Sequence, residues 1–230
     1  MISCHRLRKT YGSTVAVDDV SFDVPAGQVT GLLGPNGSGK TTILKGILGL
    51  TDLEGDVVVD PGSAASGAGR SVGASLDVTG FRRELRARDV LAAAAIRHGI
   101  RPDPDPLLRR VGLDEPRQRV GTMSLGMTQR LRIAMALVVP PAALVLDEPL
   151  NGLDPQGIRW VRSLLAEHVD RGGSVLFSSH LLNEAERIVD RVVILDRGRV
   201  LAEGPLVTFA GDGVSLEDAF FATTTPDRGR

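Results

Sequence analysis

A chain of 230 residues, 42% hydrophobic and 24% charged, can bury a core and has the make-up of a globular protein of one or at most two domains. Its net charge of −1 argues against a broadly basic, nucleic-acid-binding surface. A single cysteine, Cys4, excludes an intrachain disulfide and suits a reducing compartment.

Taken in order, the opening "MISCHRLRKTYG" lacks the apolar stretch of a secretory signal. The alternation in "VAVDDVSFDVPAGQ" predicts a half-exposed antiparallel sheet. "QVTGLLG" (Gln28–Gly34) predicts a buried strand entering a glycine loop, and "KTTILKGILGL" (Lys40–Leu50) the helix after it. "DPGSAASGAG" (Asp60–Gly69) reads as a mobile small-residue loop. From about Val78 to Val139 the pattern is mostly helical, clearest in "LRARDVLAAAAIRHGI", with "RPDPDP" as a turn. The longest apolar run, Ile133 to Leu146, is broken by Pro140–Pro141 and is too short to span a membrane. It reads as a helix, a turn and then the strand "AALVLD". "SVLFSS" (Ser174–Ser179) is a further strand, "QGIRWVRSLLAEHV" and "LLNEAERIVD" are helices, and "TTTPDRGR" is expected to be disordered. Strands alternating with helices predict an α/β fold with a largely parallel sheet. The expected division is one domain over residues 1–222, with a core of about 1–76 and 141–222, a helical insertion of about 77–140, and a tail at 223–230.

Two clusters carry chemistry. "GPNGSGKT" (Gly34–Thr41) fits G-x-x-x-x-G-K-[ST] between a strand and a helix, the pattern of a nucleotide phosphate site. Gly34, Gly37 and Gly39 let backbone N–H groups turn inward, with Pro35, Asn36 and Ser38 completing the loop. Lys40 offers charge to the β- and γ-phosphates and Thr41 a hydroxyl to Mg²⁺; Thr42 follows on the helix. A chance glycine turn is the competing reading, which the flanking strand and helix disfavour. Further on, Asp147–Glu148 ends an apolar strand at the carboxyl edge of the sheet, where ligands bind in open α/β folds. Asp147 there can hold Mg²⁺, and Glu148 can polarise an attacking water. "NGLD" (Asn151–Asp154) adds a second acidic group. His180 ends the next strand, in line to hydrogen-bond a γ-phosphate, whereas His5, His98 and His168 read as surface residues.

In this order the elements resemble the ATP-binding subunit of an ABC transporter, over about Leu7 to Phe221. "GPNGSGKT" is similar to the Walker A motif, "LVLDEP" to Walker B, "NGLD" to the D-loop with Asp154, and "SSH" to the switch-histidine loop. Within bacteria the chain looks most like exporter-type subunits paired with ABC-2-like membrane proteins. The resemblance implies a P-loop NTPase with a RecA-like mixed sheet, an N-terminal antiparallel β subdomain and an inserted α-helical subdomain. Tyr11 holds the position of an aromatic residue that stacks on adenine, with a half-exposed packing role as the alternative.

"MSLGM" stands where the family has its signature LSGGQ. Ser124 and Gly126 match; Leu125 and Met127 replace a glycine and the glutamine. In the family this segment grips the γ-phosphate held by the other copy of a head-to-tail dimer, a role compatible with Ser124 also capping its own helix. Asp77 falls where the family has a glutamine that ligands Mg²⁺; a turn residue is the alternative.

The implied protein is an ATPase using ATP and Mg²⁺, with Glu148 and His180 as catalytic residues. It pairs with a second copy of itself and with an integral membrane permease, and sits in the cytoplasm against the inner face of the cell membrane. No direct nucleic-acid partner is expected. The alternative is a soluble ABC-type ATPase with a regulatory, nucleic-acid or ribosome-associated role.

Overall fold

The computed structural model describes residues 1–60, 72–76, 80–211 and 213–224. The N-terminal sheet holds β1 (Ile2–Tyr11), β2 (Thr14–Val24) and β4 (Glu54–Val59), all antiparallel in the order β2-β1-β4. The predicted alternation is realised in β2, whose Val17, Val20, Phe22 and Val24 are buried. β1 breaks register between Cys4 and Leu7, where Arg6 adopts a φ of 50°. Cys4 is part of the core, fully buried beside Ile2 and Leu7.

The second sheet runs β5-β6-β7-β3-β8-β9. Its strands are β3 (Val29–Leu33), β5 (Val72–Ser75), β6 (Ala143–Leu146), β7 (Ser174–Ser179), β8 (Arg191–Asp196) and β9 (Arg199–Pro205). All neighbours are parallel except β8 with β9. β3, β6 and β7 are buried along their whole length, which is why their sequences show no alternation of apolar and charged residues. The predicted α/β class with a mixed, mostly parallel sheet is what the chain adopts.

Helix α1 (Lys40–Ile47) packs between the two sheets, Ile43 and Leu44 joining Leu32, Val145 and Leu176 in one apolar cluster. α5 (Pro155–Asp170), α6 (Leu182–Glu186) and α7 (Leu216–Thr224) cover the other face of the large sheet. The predicted helical stretch contains α2 (Ala87–Arg97), α3 (Pro104–Arg110) and α4 (Leu125–Ala136) around a third cluster of Leu91, Leu108, Val111 and Leu131.

Several boundaries and one burial class differ from expectation. α1 stops at Ile47 because Gly49 enters the left-handed region at φ 67°, and the Leu50 N–H turns back to the Lys45 carbonyl. α6 is only five residues long, since Asp190 Oδ2 accepts the N–H of Val29 and draws the following chain back to the sheet. α7 continues to Thr224, so the first two residues of the expected tail are helical; 225–230 lie outside the described residues, as does most of the expected mobile loop. His168 is half-buried in the last turn of α5, against Gly173, rather than a surface residue.

Candidate functional site

Strands β6, β7 and β3 are neighbours, so the segments leaving their carboxyl ends converge. β3 delivers the loop from Gly34, β6 delivers Asp147 and Glu148, and β7 delivers His180. Between them lies a cleft of about 510 Å³, lined by Asn36, Gly37, Lys40, Thr41, Asp147, Glu148 and His180 among others.

The glycines of the loop are dictated by space. A Cβ on Gly34 would collide with the Leu195 carbonyl, and one on Gly39 would sit 2.5 Å from the Ala16 carbonyl, where φ is already 106°. Gly37, at φ 82°, faces open space. With this path fixed, Lys40 Nζ donates to the carbonyls of Gly34 (2.7 Å) and Pro35 (3.1 Å) within its own loop. It also lies 3.7 Å from Glu148 Oε1. Burial pushes the Lys40 ammonium below its ordinary value, and the charges of Glu148 and Asp147 oppose that shift. Ser38 Oγ is buried in the loop without a hydrogen-bond partner, and Thr42 lines the cleft beside Thr41.

Two hydrogen bonds, one buried and one partly so, fix Asp147. Its Oδ2 accepts from Thr41 Oγ1 at 2.9 Å and its Oδ1 from Ser178 Oγ at 2.6 Å. Glu148 has a φ of 48°, a costly region for a non-glycine residue, held by its N–H donating to Ser178 Oγ at 2.9 Å. The turn brings its carboxylate to Lys40 and to His180, whose Nδ1 donates to Glu148 Oε2 at 2.9 Å. One carboxylate therefore holds both a lysine and a histidine, and His180 faces Glu148 rather than standing alone in the cleft. Ser178 is the residue that sequence reasoning missed. The serine pair before His180 was visible in "SSH", but only the strand register turns Ser178 towards Asp147.

The other expected residues lie apart from this cluster. Tyr11 is 49% exposed, its hydroxyl 3.5 Å from Thr51 Oγ1 and its ring 5.3 Å from Lys9 Nζ. Ser124 caps α4, accepting the Met127 N–H at 3.2 Å, and Asp154 caps α5, accepting the Gly157 N–H at 2.7 Å. Neither lines the cleft. Leu125 leans on Gly152, which has a φ of 74°, and Met127 packs into the helical cluster. A Cβ on Gly126 would lie 3.0 Å from the Gly152 carbonyl, so signature turn and D-loop turn press together within one chain. Asp77 lies outside the described residues.

The family model described as ABC transporter matches residues 17–151, from β2 through both chemical clusters. The chain belongs to the ABC transporter family. Among its relatives is the lantibiotic transport ATP-binding protein SrtF of Streptococcus pyogenes, 34% identical over 206 residues, covering 88% of this chain and 90% of SrtF. The Nod factor export ATP-binding protein I of Burkholderia lata is 38% identical over 217 residues, 88% of this chain and 70% of that protein. A solved ATP-binding subunit of an ABC transporter superposes with a TM-score of 0.84 at 30% identity, over 97% of this chain and 99% of the other. This ABC cassette binds ATP and is an ATPase, its hydrolysis driving transport across a membrane. No helix among its described residues is long and apolar enough to cross a membrane itself.

Proposed function

We propose that this cassette powers export through a separate membrane permease, working as a pair of identical copies at the cytoplasmic face of the membrane. The observation that carries the catalytic reading is the Glu148 carboxylate held between Lys40 at 3.7 Å and His180 at 2.9 Å, inside the cleft of the phosphate loop. Gly34 to Thr42 wrap the triphosphate with backbone N–H groups, and incoming γ-phosphate oxygens compete with the loop carbonyls for Lys40. Glu148, freed from Lys40, accepts a proton from the attacking water. His180 then holds Glu148 on one side and reaches the γ-phosphate on the other. Tyr11 stacks on adenine.

Thr41 Oγ1 and Asp147 Oδ2, 2.9 Å apart and both hard oxygen donors, suit Mg²⁺ and would hold it. When bound there, the ion would supply positive charge to offset that of the phosphates. Asp147 is already orientated for this by Ser178.

Ser124 and Gly126 stand outside the cleft of their own chain, which supports their acting on ATP held by a second copy, beside Asp154 of the D-loop. With every motif in one chain, a homodimer suffices. Relatives named for lantibiotic transport and Nod factor export support an export role, and the permease supplies the membrane crossing that this chain's described helices do not.

Glu148→Gln tests the reading. It should retain ATP binding, accumulate as a nucleotide-bound dimer by size-exclusion chromatography, and lose about 10²-fold or more of kcat. Turnover at the wild-type rate would remove Glu148 from the role of base.

A further inference from the structure

At the carboxyl end of α3 two backbone carbonyls have no partner within the helix ladder, and two side chains from other helices meet them. Trp160 of α5 donates its Nε1–H to the Arg110 carbonyl at 3.2 Å. Arg130 of α4 donates Nη1–H to the Val111 carbonyl at 2.9 Å. These two donors also stack on each other, the Arg130 guanidinium carbon lying 4.6 Å from the Trp160 ring centroid. An ion pair of Arg110 with Glu167 at 2.7 Å ties α3 to α5 again. Gly112 makes room: a Cβ there would lie 2.8 Å from Arg130 Nη1.

Trp160 is the chain's only tryptophan, and it packs against both the cluster under the large sheet and the cluster of the helical segment. α4 meets the α5 side of the molecule through Leu125 on Gly152 at its first residue, through Arg130 on Trp160 farther along, and through Ile133 and Ala136 in the cluster under the large sheet. The apolar contacts can slide, whereas the Arg130–Trp160 stack is directional and is tied on both sides to the end of α3. The helix so fixed is the one that carries Ser124 and Gly126 at its start.

We propose that the Arg130–Trp160 stack is the joint that sets the angle of the signature helix against the nucleotide-binding core. Arg130 and Trp160 are then positioning residues for hydrolysis in the other copy's cleft. This inference rests on the reading that the signature acts across the dimer, and the test separates the two.

A mixture of full-length Ser124→Arg chains and Lys40→Ala chains has one complete site per mixed dimer, made from the cleft of the first and the signature of the second. ATPase activity should return on mixing, although each variant alone is inactive. Adding Arg130→Ala to the Lys40→Ala chain should then lower kcat roughly fivefold or more, with KM for ATP unchanged. Arg130→Lys, which keeps a cation over the ring but loses the planar fork, should fall between. The same Arg130→Ala placed on the Ser124→Arg chain, whose signature is already idle, should leave the mixed rate as it was. Tryptophan emission reports loss of the stack directly, because Trp160 is the sole source. No activity on mixing overturns the across-dimer reading itself. Recovered activity that Arg130→Ala leaves unchanged, or lowers equally from either chain, overturns the joint alone.

Discussion

Ser178 Oγ donates a 2.6 Å hydrogen bond to Asp147 Oδ1, and the same oxygen accepts the N–H of Glu148 at 2.9 Å. One hydroxyl on β7 thereby orientates both acidic residues delivered by β6. Ser178→Ala leaves a buried carboxylate oxygen short of a donor and a strained backbone N–H short of an acceptor. Each loss costs about 1–3 kcal/mol when a buried group goes unpaired. We expect kcat to fall roughly tenfold or more, since a loosened Glu148 misplaces its carboxylate, together with a lower thermal midpoint. An ATPase assay beside a melting curve checks this, and an unchanged kcat would show that Glu148 holds its geometry without the serine.

The phosphate loop, Asp147 and Glu148 were legible in the sequence because their chemistry depends on a local spacing. Lys40 must follow Gly39, and Asp147 must end an apolar strand. The α/β class was legible because strand-like and helix-like segments alternate along the chain. Ser178 was not legible in its role, because its partners are 30 and 31 positions away and only the register of β6 with β7 aligns them. His168 was misjudged because a histidine near charged residues looks solvated until the Gly172–Gly173 turn folds over it. Leu125 and Met127 looked like departures from a pattern, and the fold gives them separate employment, Leu125 on Gly152 and Met127 in the helical cluster.

The Leu125–Gly152 contact predicts a coupled pair. A Cβ at Gly152 would fall inside the Leu125 side chain, at a φ of 74° that already disfavours any other residue. Gly152→Ala should therefore destabilise by about 1–3 kcal/mol from strain and clash together. Leu125→Ala made alongside should return the clash part while leaving the φ cost. Denaturant unfolding of the two single variants and the double variant measures this, and strictly additive effects would mean the two residues do not touch.

Cys4 should be inert in the folded chain. Burial, with a smaller contribution from the charge of Asp23, pushes its thiol up to about 12. The thiolate fraction near neutral pH is then vanishingly small, and the side chain is fully buried besides. Labelling with a chromogenic disulfide at about pH 8 should proceed only as fast as the chain opens, and denaturant should bring one equivalent in rapidly. Fast labelling of folded protein would mean that the β1–β2–β4 sheet opens readily around Cys4.

His168 predicts a loss of stability towards acid. Burial holds its imidazole below the ordinary 6.5, only partly offset by a hydrogen bond to the Ser174 backbone, and its Nε2 is buried without a partner. The unfolded chain therefore takes up this proton at a higher pH than the folded chain does. The stability associated with neutral His168 is complete above about pH 6.5 and is lost as pH falls from there towards the lower folded value, at no more than about 1.4 kcal/mol per pH unit. His168→Gln removes the titration while keeping a planar polar group of similar reach. Denaturant unfolding at about pH 7.5 and about pH 5.5 should show a smaller drop in the variant than in the wild type. Parallel drops would place the acid sensitivity in carboxylates elsewhere and leave His168 as packing alone.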